Sequence, residues 1–199
     1  MRRIVAFDRV SADGYFSAPD GNLNWVVPDE EIDGEGASNL SDSGTILFGR
    51  RTYEMFESFW PHALEQPGGA PDPHSPVRKS AAIQAMAVWI NNATKILFSK
   101  TRKDVTWKNS QLIRDFDPRE VLAMKQEPGK DMMIFGSGSI VSLLTQHGLI
   151  DEYQLIVGPV LLGSGKQLIS GVPNTKRLDL KEAKPYKSGN VRLRYTLKE

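Results

Sequence analysis

Four short apolar runs punctuate the chain: Ile4 to Phe7 (IVAF), Thr45 to Phe48 (TILF), Lys95 to Phe98 (KILF) and Met132 to Phe135 (MMIF). None alternates strictly with polar residues, a pattern that suits strands covered on both faces, as in the parallel part of an α/β sheet. Helix signals lie between them. Residues 51–60 (RTYEMFESFW) set Tyr53, Phe56 and Trp60 on one helical face. Ser75-Pro76 supplies a cap and a proline at the first helical position for a helix reaching Asn91, and Asp117-Pro118 repeats that signature before REVLAMKQ. Ser139 is placed to cap IVSLLTQH, which Gly148 then stops.

The C-terminal third reads differently. EYQLIVG predicts one strand and KRLDLKEAKPY a second. VRLRYTLK alternates cleanly, with Val191, Leu193, Tyr195 and Leu197 against Arg192, Arg194, Thr196 and Lys198. The turn Lys187-Ser188-Gly189-Asn190 before it predicts a closing antiparallel hairpin. The sum is a mixed, mostly parallel sheet with crossover helices. The proline- and glycine-rich stretch Pro61 to Pro76 reads as a long surface loop rather than a boundary, since the strands before it need partners downstream. One domain over residues 1–199 is expected.

Composition narrows the function classes. The 40% hydrophobic and 25% charged residues are globular values, so disorder is not expected. A net charge of +1 with acids and bases intermixed gives no basic face for nucleic acid. No apolar run approaches the ~18 residues of a membrane span, and the apolar stretch after Arg3 is too short for a signal-peptide core. Cysteine is absent, which excludes disulfides, thiolate zinc sites and cysteine nucleophiles and is compatible with a cytoplasmic protein. His62, His74 and His147 show no ligand spacing, and no metal is expected.

Two turns carry the candidate chemistry. TILFGRRTYE runs from strand through Gly49, Arg50, Arg51 and Thr52 into a helix. MMIFGSGSIVSLL does the same through Gly136, Ser137, Gly138 and Ser139. A helix N-terminus offers unpaired backbone N–H groups and a partial positive charge, and glycine lets an anion come close to the backbone. Two such ends in adjacent crossovers would cradle a diphosphate, and arginines at the first would suit a further phosphate. The alternative of equal standing is a pair of ordinary glycine turns with solvated arginines. GSGS does not fit the dinucleotide fingerprint G-x-G-x-x-G, nor does Ser137 stand in a nucleophile elbow.

GRRTYE after TILF, KILFSKT, FGSGSIVSLL, GLIDEYQLIVGPVLLGSGKQLI and the opening VSADGYFSAPDGNLNW together resemble the dihydrofolate-reductase-like superfamily. Within it they are most similar to the reductase domain of bacterial riboflavin biosynthesis and its stand-alone relatives. The resemblance runs in order from residue 3 to residue 197. It implies a three-layer α/β fold, a central mostly parallel sheet with helices on both faces and an antiparallel C-terminal hairpin. It also implies an NADPH-dependent reductase of a small heterocycle.

By the same resemblance, Gly49, Arg50 and Thr52 (with Arg51 beside them) match the element that contacts the cofactor's adenosine phosphate and diphosphate. Ser99 and Lys100 match the strand end beside the adenosine, where a lysine suits the 2′-phosphate. Gly136, Ser137, Gly138 and Ser139 match the second diphosphate turn, with Ile140 and Val141 opening its helix. The backbone after Phe7 and the loop through Asp13 and Gly14 would lie along the nicotinamide, and Trp25 would face the substrate.

In dihydrofolate reductases one carboxylate on the helix before the Gly-Arg turn grips the pterin. Counting back from Gly49 gives Asp33; counting forward from Trp25 and Pro28 gives Glu30. In so acidic a stretch a solvated helix start is the plainer reading of each, and Gly34 and Gly36 weaken the helix. Three functions remain open: reduction of 5-amino-6-(5-phosphoribosylamino)uracil or a like substrate, reduction of a dihydrofolate or pterin, and a nucleotide-binding module without catalysis. Relatives of this kind commonly pair through their C-terminal strands, which implies a homodimer. The segment GPVLLGSGKQLI is expected to be irregular and close to that face.

Overall fold

The computed structural model describes residues 1–39, 42–63 and 81–198. Eight strands form one sheet. Six run parallel: β1 (Ile4–Ser11), β3 (Ser43–Gly49), β4 (Thr94–Phe98), β5 (Ser110–Ile113), β6 (Asp131–Phe135) and β7 (Glu152–Gly158). β9 (Leu178–Pro185) and β10 (Val191–Leu197) close it as an antiparallel hairpin, with β10 also antiparallel to β7. The spatial order is β5-β4-β3-β6-β1-β7-β10-β9. β2 (Tyr15–Ser17) and β8 (Lys166–Gln167) form a separate small ladder.

The apolar runs fill both faces of this sheet, as their lack of alternation predicts. On one face Ile4, Ala6, Leu47, Ile96 and Met132 pack against Val121 of α4 (Pro118–Gln126) and against Ile140, Val141 and Leu144 of α5 (Gly138–Gln146). On the other, Ile46, Phe48, Leu97 and Phe135 meet α2 (Arg50–Phe59) and α3 (Ala81–Asn92). Tyr53, Phe56 and Trp60 are all buried there, the last in a short 3-10 turn (Trp60–His62) that continues α2. Lys95 is wholly buried on β4 and closes the end of α3. Its Nζ donates to the carbonyls of Asn91, Ala93 and Lys108 at 3.2, 2.8 and 3.1 Å and lies 4.5 Å from the centre of the Trp107 ring.

Local structure departs from the sequence reading at several points. β1 does not stop at Phe7 but continues to Ser11, because its second half pairs with β7, Asp8 opposite Leu155 through Ser11 opposite Gly158. The helix after β6 starts at Gly138, so its cap position is Ser137 and not Ser139. Asp117 does cap α4, accepting from the Arg119 N–H at 2.8 Å. Gly148 adopts the left-handed conformation that stops α5. The Ser75-Pro76 cap, His74 and the loop beyond Ala63 lie outside the described residues.

α1 (Glu30–Asn39) forms despite its two glycines. Asp29 Oδ1 accepts from the N–H groups of Glu31 and Ile32 at 2.9 and 3.1 Å, satisfying donors that a helix start leaves open. Farther along, Glu35 holds the hairpin through Lys184, Arg192 and the Tyr186 hydroxyl, the last at 2.8 Å. Capping and tertiary ties outweigh poor propensity. No helix among the described residues is long and apolar enough to cross a membrane.

Candidate active site

All six parallel strands end on the same side of the sheet, and open α/β sheets bind ligands beyond those carboxyl ends. Here a cavity of about 1260 Å³ opens between the strand ends, α1, α2 and α3. Both predicted turns line it, through Gly49 to Thr52 and Gly136 to Ser139.

The two turns are built as one unit. Ser137 is buried and left-handed at φ 64°, an uncommon conformation for a residue with a side chain. That conformation carries its Oγ across to accept the Gly49 N–H at 2.9 Å. The approach leaves no spare room: a Cβ at Gly49 would stand 3.2 Å from Ser137 Oγ, Ser139 Oγ and Ile140 Cγ1. Gly138 is confined likewise, with the Leu168 carbonyl and the Phe16 ring 3.0 Å from the place of a Cβ. Gly136 precedes them at φ 61°. Two helix N-termini with open N–H groups and no side-chain cap of their own therefore face one cavity. Arg50 and Arg51 stand exposed beside them, Arg50 within 3.6 Å of Glu54.

The other half of the cavity lies over the sheet. Phe7 and Phe135 meet edge to face at 6.0 Å, with Met133 and Ile156 alongside. Asp33 lines this half and Glu30 does not, which separates the two registers left open by the sequence. Asp33 accepts from Arg9 Nη2 at 2.8 Å, with 12% of the arginine side chain and 19% of the aspartate side chain exposed. Burial pushes the Asp33 carboxyl up, and the Arg9 guanidinium partly offsets that. Arg9 Nη1 is buried with no hydrogen-bond partner among the described residues. Beyond them an ion-pair lattice joins Arg3, just before β1, to Glu152, Arg194, Glu182 and Arg192 across β7, β10 and β9.

Other expected residues stand elsewhere. Asp13 and Gly14 do not line the cavity. Asp13 instead accepts from the Leu162 and Gly163 N–H groups at 3.1 and 2.7 Å and from Ser11 Oγ at 2.6 Å, pinning the turn after β1 to the segment before β8. Those bonds, led by the Ser11 hydroxyl, hold its carboxyl down at about 2. Trp25 packs beside Gly158, outside the cavity lining. Ser99 Oγ accepts from the N–H groups of Thr101 and Arg102, while Lys100 is exposed and 3.7 Å from Asp115. Neither lines the cavity, and Ile140 and Val141 are buried in the core. Sequence reasoning singled out neither the side chains of Asp8 and Arg9 nor the cavity residues Asp20, Gln154, Lys166 and Arg192. Asp8 and Arg9 follow the apolar run directly, and only the pairing of β1 with β7 makes them part of a strand.

A profile of the RibD C-terminal domain matches residues 2–192 of this fold. The chain belongs to the RibD C-terminal domain family. Within curated proteins it is 27% identical over 195 residues to Bacillus subtilis YyaP, covering 98% of this chain and 95% of that one. It is 29% identical over 195 residues to YwjB of the same organism, covering 93% and 92%. Both carry names that describe them as uncharacterised.

Solved structures share the family's fold. A putative riboflavin biosynthesis protein from Shewanella sp. PV-4 superposes with a TM-score of 0.73 at 19% identity, covering 99% of both chains. The Thermotoga maritima deaminase/5-amino-6-(5-phosphoribosylamino)uracil reductase gives 0.64 at 12% identity, with 99% of this chain spanning 57% of that one. Enterococcus faecalis dihydrofolate reductase, solved with NADP(H), gives 0.62 at 12% identity over 99% and 97%. The three-layer α/β architecture of the dihydrofolate-reductase type is thus that of this RibD-family chain.

Proposed function

We propose that this chain is an NADPH-dependent reductase of a small heterocyclic substrate, with the cofactor diphosphate between the Gly49 and Gly136–Ser139 turns. The observation that carries the reading is the cross-link between those turns, Ser137 Oγ to the Gly49 N–H at 2.9 Å, which presents two helix N-termini to one cavity. Family membership supports a reductase. Arg50 and Arg51, at the open end of α2, suit the 2′-phosphate that distinguishes NADPH from NADH. Lys100 has a weaker claim to it, being exposed outside the cavity lining.

A bound nicotinamide supplies a hydride to the carbon of a C=N or C=O group. The residues of the chain orient and enclose. Phe7, Met133, Phe135 and Ile156 form an apolar floor that excludes water, and the turns fix the cofactor against it. Asp33 and Arg9 offer an acceptor and a donor on adjacent elements, complementary to the N–H and C=O of a lactam edge. A uracil-type ring, as in 5-amino-6-(5-phosphoribosylamino)uracil, presents such an edge. So does a pterin, and the presence of Asp33 in the cavity favours pterin reduction as the second reading. Pairing with Arg9 weighs against a protonated pterin gripped by a lone carboxylate. A nucleotide-binding module without turnover is the third.

We further propose that the chain acts in the cytoplasm as a homodimer through its C-terminal strands. Leu178 and Leu180 on the edge strand β9, and Leu161 nearby in sequence to β8, are exposed apolar residues suited to such a face. A sedimentation mass of one chain would refute the dimer. The cofactor reading is tested by titrating the protein with NADPH and NADH, following tryptophan quenching. NADPH binding at least about tenfold tighter than NADH, roughly 1.4 kcal/mol, is expected. Absence of binding by both would end the reductase reading, and binding without oxidation by any candidate substrate would leave the module.

A further inference from the structure

The cavity wall contains a carboxyl that the cofactor reading leaves without a task. Asp8 lies on β1, is 3% exposed and lines the cavity. The register sets Phe7 opposite Phe135, so Asp8, midway along β1, stands beside Gly136, the residue that follows β6. Asp8 Oδ1 and Thr52 Oγ1 lie 3.9 and 3.8 Å from the point where a Cβ on Gly136 would be. Thr52 belongs to the first turn and Gly136 to the second, so the carboxyl sits at their junction. Its Oδ2 is buried and has no hydrogen-bond partner among the described residues.

A carboxylate stripped of water and left unpaired is strongly disfavoured, and such a group escapes by keeping its proton. Burial pushes Asp8 up to about 7, against the Gly136 N–H, which alone pulls it down. Charged groups on the surrounding elements leave this balance alone. α2 brings Arg50, Arg51, Glu54 and Glu57, β8 brings Lys166, and the first turn of α5 brings none. Arg9, the neighbour on β1, is engaged by Asp33 of α1. None of these charges contributes to the shift.

We propose that Asp8 is a proton-linked binding residue: its neutral carboxyl admits a dinucleotide diphosphate between the turns, and its ionisation expels it. The inference rests on the dinucleotide reading of those turns. An uncharged Oδ–H is a donor for an anionic oxygen, whereas a carboxylate at the same place opposes it. By linkage, binding at a pH above the Asp8 pKa takes up a proton from solvent. The dissociation constant then rises about tenfold per pH unit. The 2′-phosphate of NADPH, with a second ionisation near about pH 6, works with the opposite sign.

The experiment titrates the wild-type chain, Asp8→Asn and Asp8→Ala with NADPH from about pH 6.5 to about pH 9, by fluorescence and by calorimetry in two buffers of different ionisation heat. Wild type is expected to lose at least about tenfold in affinity over this range and to take up close to one proton at its upper end. Asp8→Asn keeps the shape and removes the titration, so its affinity stays at the low-pH value throughout with no proton uptake. Asp8→Ala gives a flat profile as well and serves if the asparagine variant fails to fold. A flat wild-type profile, or an undiminished slope in either variant, overturns the proposal while leaving the cofactor reading intact. A wild-type chain that binds no NADPH at any pH overturns both.

Discussion

Replacing Gly49 by alanine tests the joint between the two turns by adding a single methyl group. The backbone there is ordinary, at φ −89° and ψ 162°, so alanine meets no conformational penalty. The whole effect comes from space. The new Cβ would stand 3.2 Å from Ser137 Oγ, Ser139 Oγ and Ile140 Cγ1, each a few tenths of an ångström inside ordinary contact. Ser137 cannot simply rotate away, because its hydroxyl holds the Gly49 N–H and its backbone is fixed in the left-handed region.

Overpacking of this kind costs about 1–3 kcal/mol. For a chain of this length that lowers the melting temperature by roughly 2–12 °C. Thermal unfolding followed by circular dichroism gives the first number, and NADPH titration gives the second effect, weaker binding as the turns part. Gly34→Ala is the control, at a helical position with nothing among the described residues within 4 Å of the place of a Cβ. It should gain about 0.5–1 kcal/mol from helix propensity. A Gly49→Ala chain as stable as wild type that binds NADPH equally well would refute the close-joint account.

Further outcomes follow from the same geometry. Arg51→Ala should weaken NADPH at least about tenfold and leave NADH nearly unchanged; equal loss for both would remove the 2′-phosphate contact. Asp33→Asn strands the largely buried Arg9 guanidinium and should cost about 3 kcal/mol in urea unfolding. The same variant separates substrates, since a pterin reductase would lose most turnover. Asp13 has a folded pKa below its unfolded value, so its contribution is fully present above about pH 4 and is lost as the pH falls toward about 2. Acid unfolding of Asp13→Asn should therefore lack that component, and amide exchange at Leu162 and Gly163 should quicken at neutral pH. Lys95→Met leaves three carbonyls without their donor and should destabilise by about 3–5 kcal/mol, read by the same urea series.

The sheet was legible because burial on two faces leaves continuous apolar runs, and four such runs became β1, β3, β4 and β6. The turns at Gly49 and Gly136 were legible for a local reason, glycine between a strand and a helix. Details set by distant segments were not. Asp8 and Arg9 look like the end of an apolar run until β7, nearly 150 residues later, pairs with them. Asp33 and Glu30 share one acidic stretch, and only the phase of α1 against the sheet turns the former to the cavity. Ser137 replaces Ser139 at the helix start because the link to Gly49 selects a left-handed residue, an event no local propensity signals. Asp13 kept its loop but exchanged a ligand-facing place for a clamp on Leu162 and Gly163.

The position of β1 between β6 and β7 has a consequence for biogenesis. Of the strands of this sheet, the first in sequence is among the last to acquire both neighbours, since Ile4 lies beside Met132, 128 residues away. As the chain leaves a ribosome, β3 and β4 can pair early, but the centre of the sheet stays open until residues 131–158 emerge. Until then IVAF is an unpaired apolar strand, the kind of segment that recruits chaperones or aggregates. Synthesis rate over the residues between β4 and β6 should therefore bear on yield.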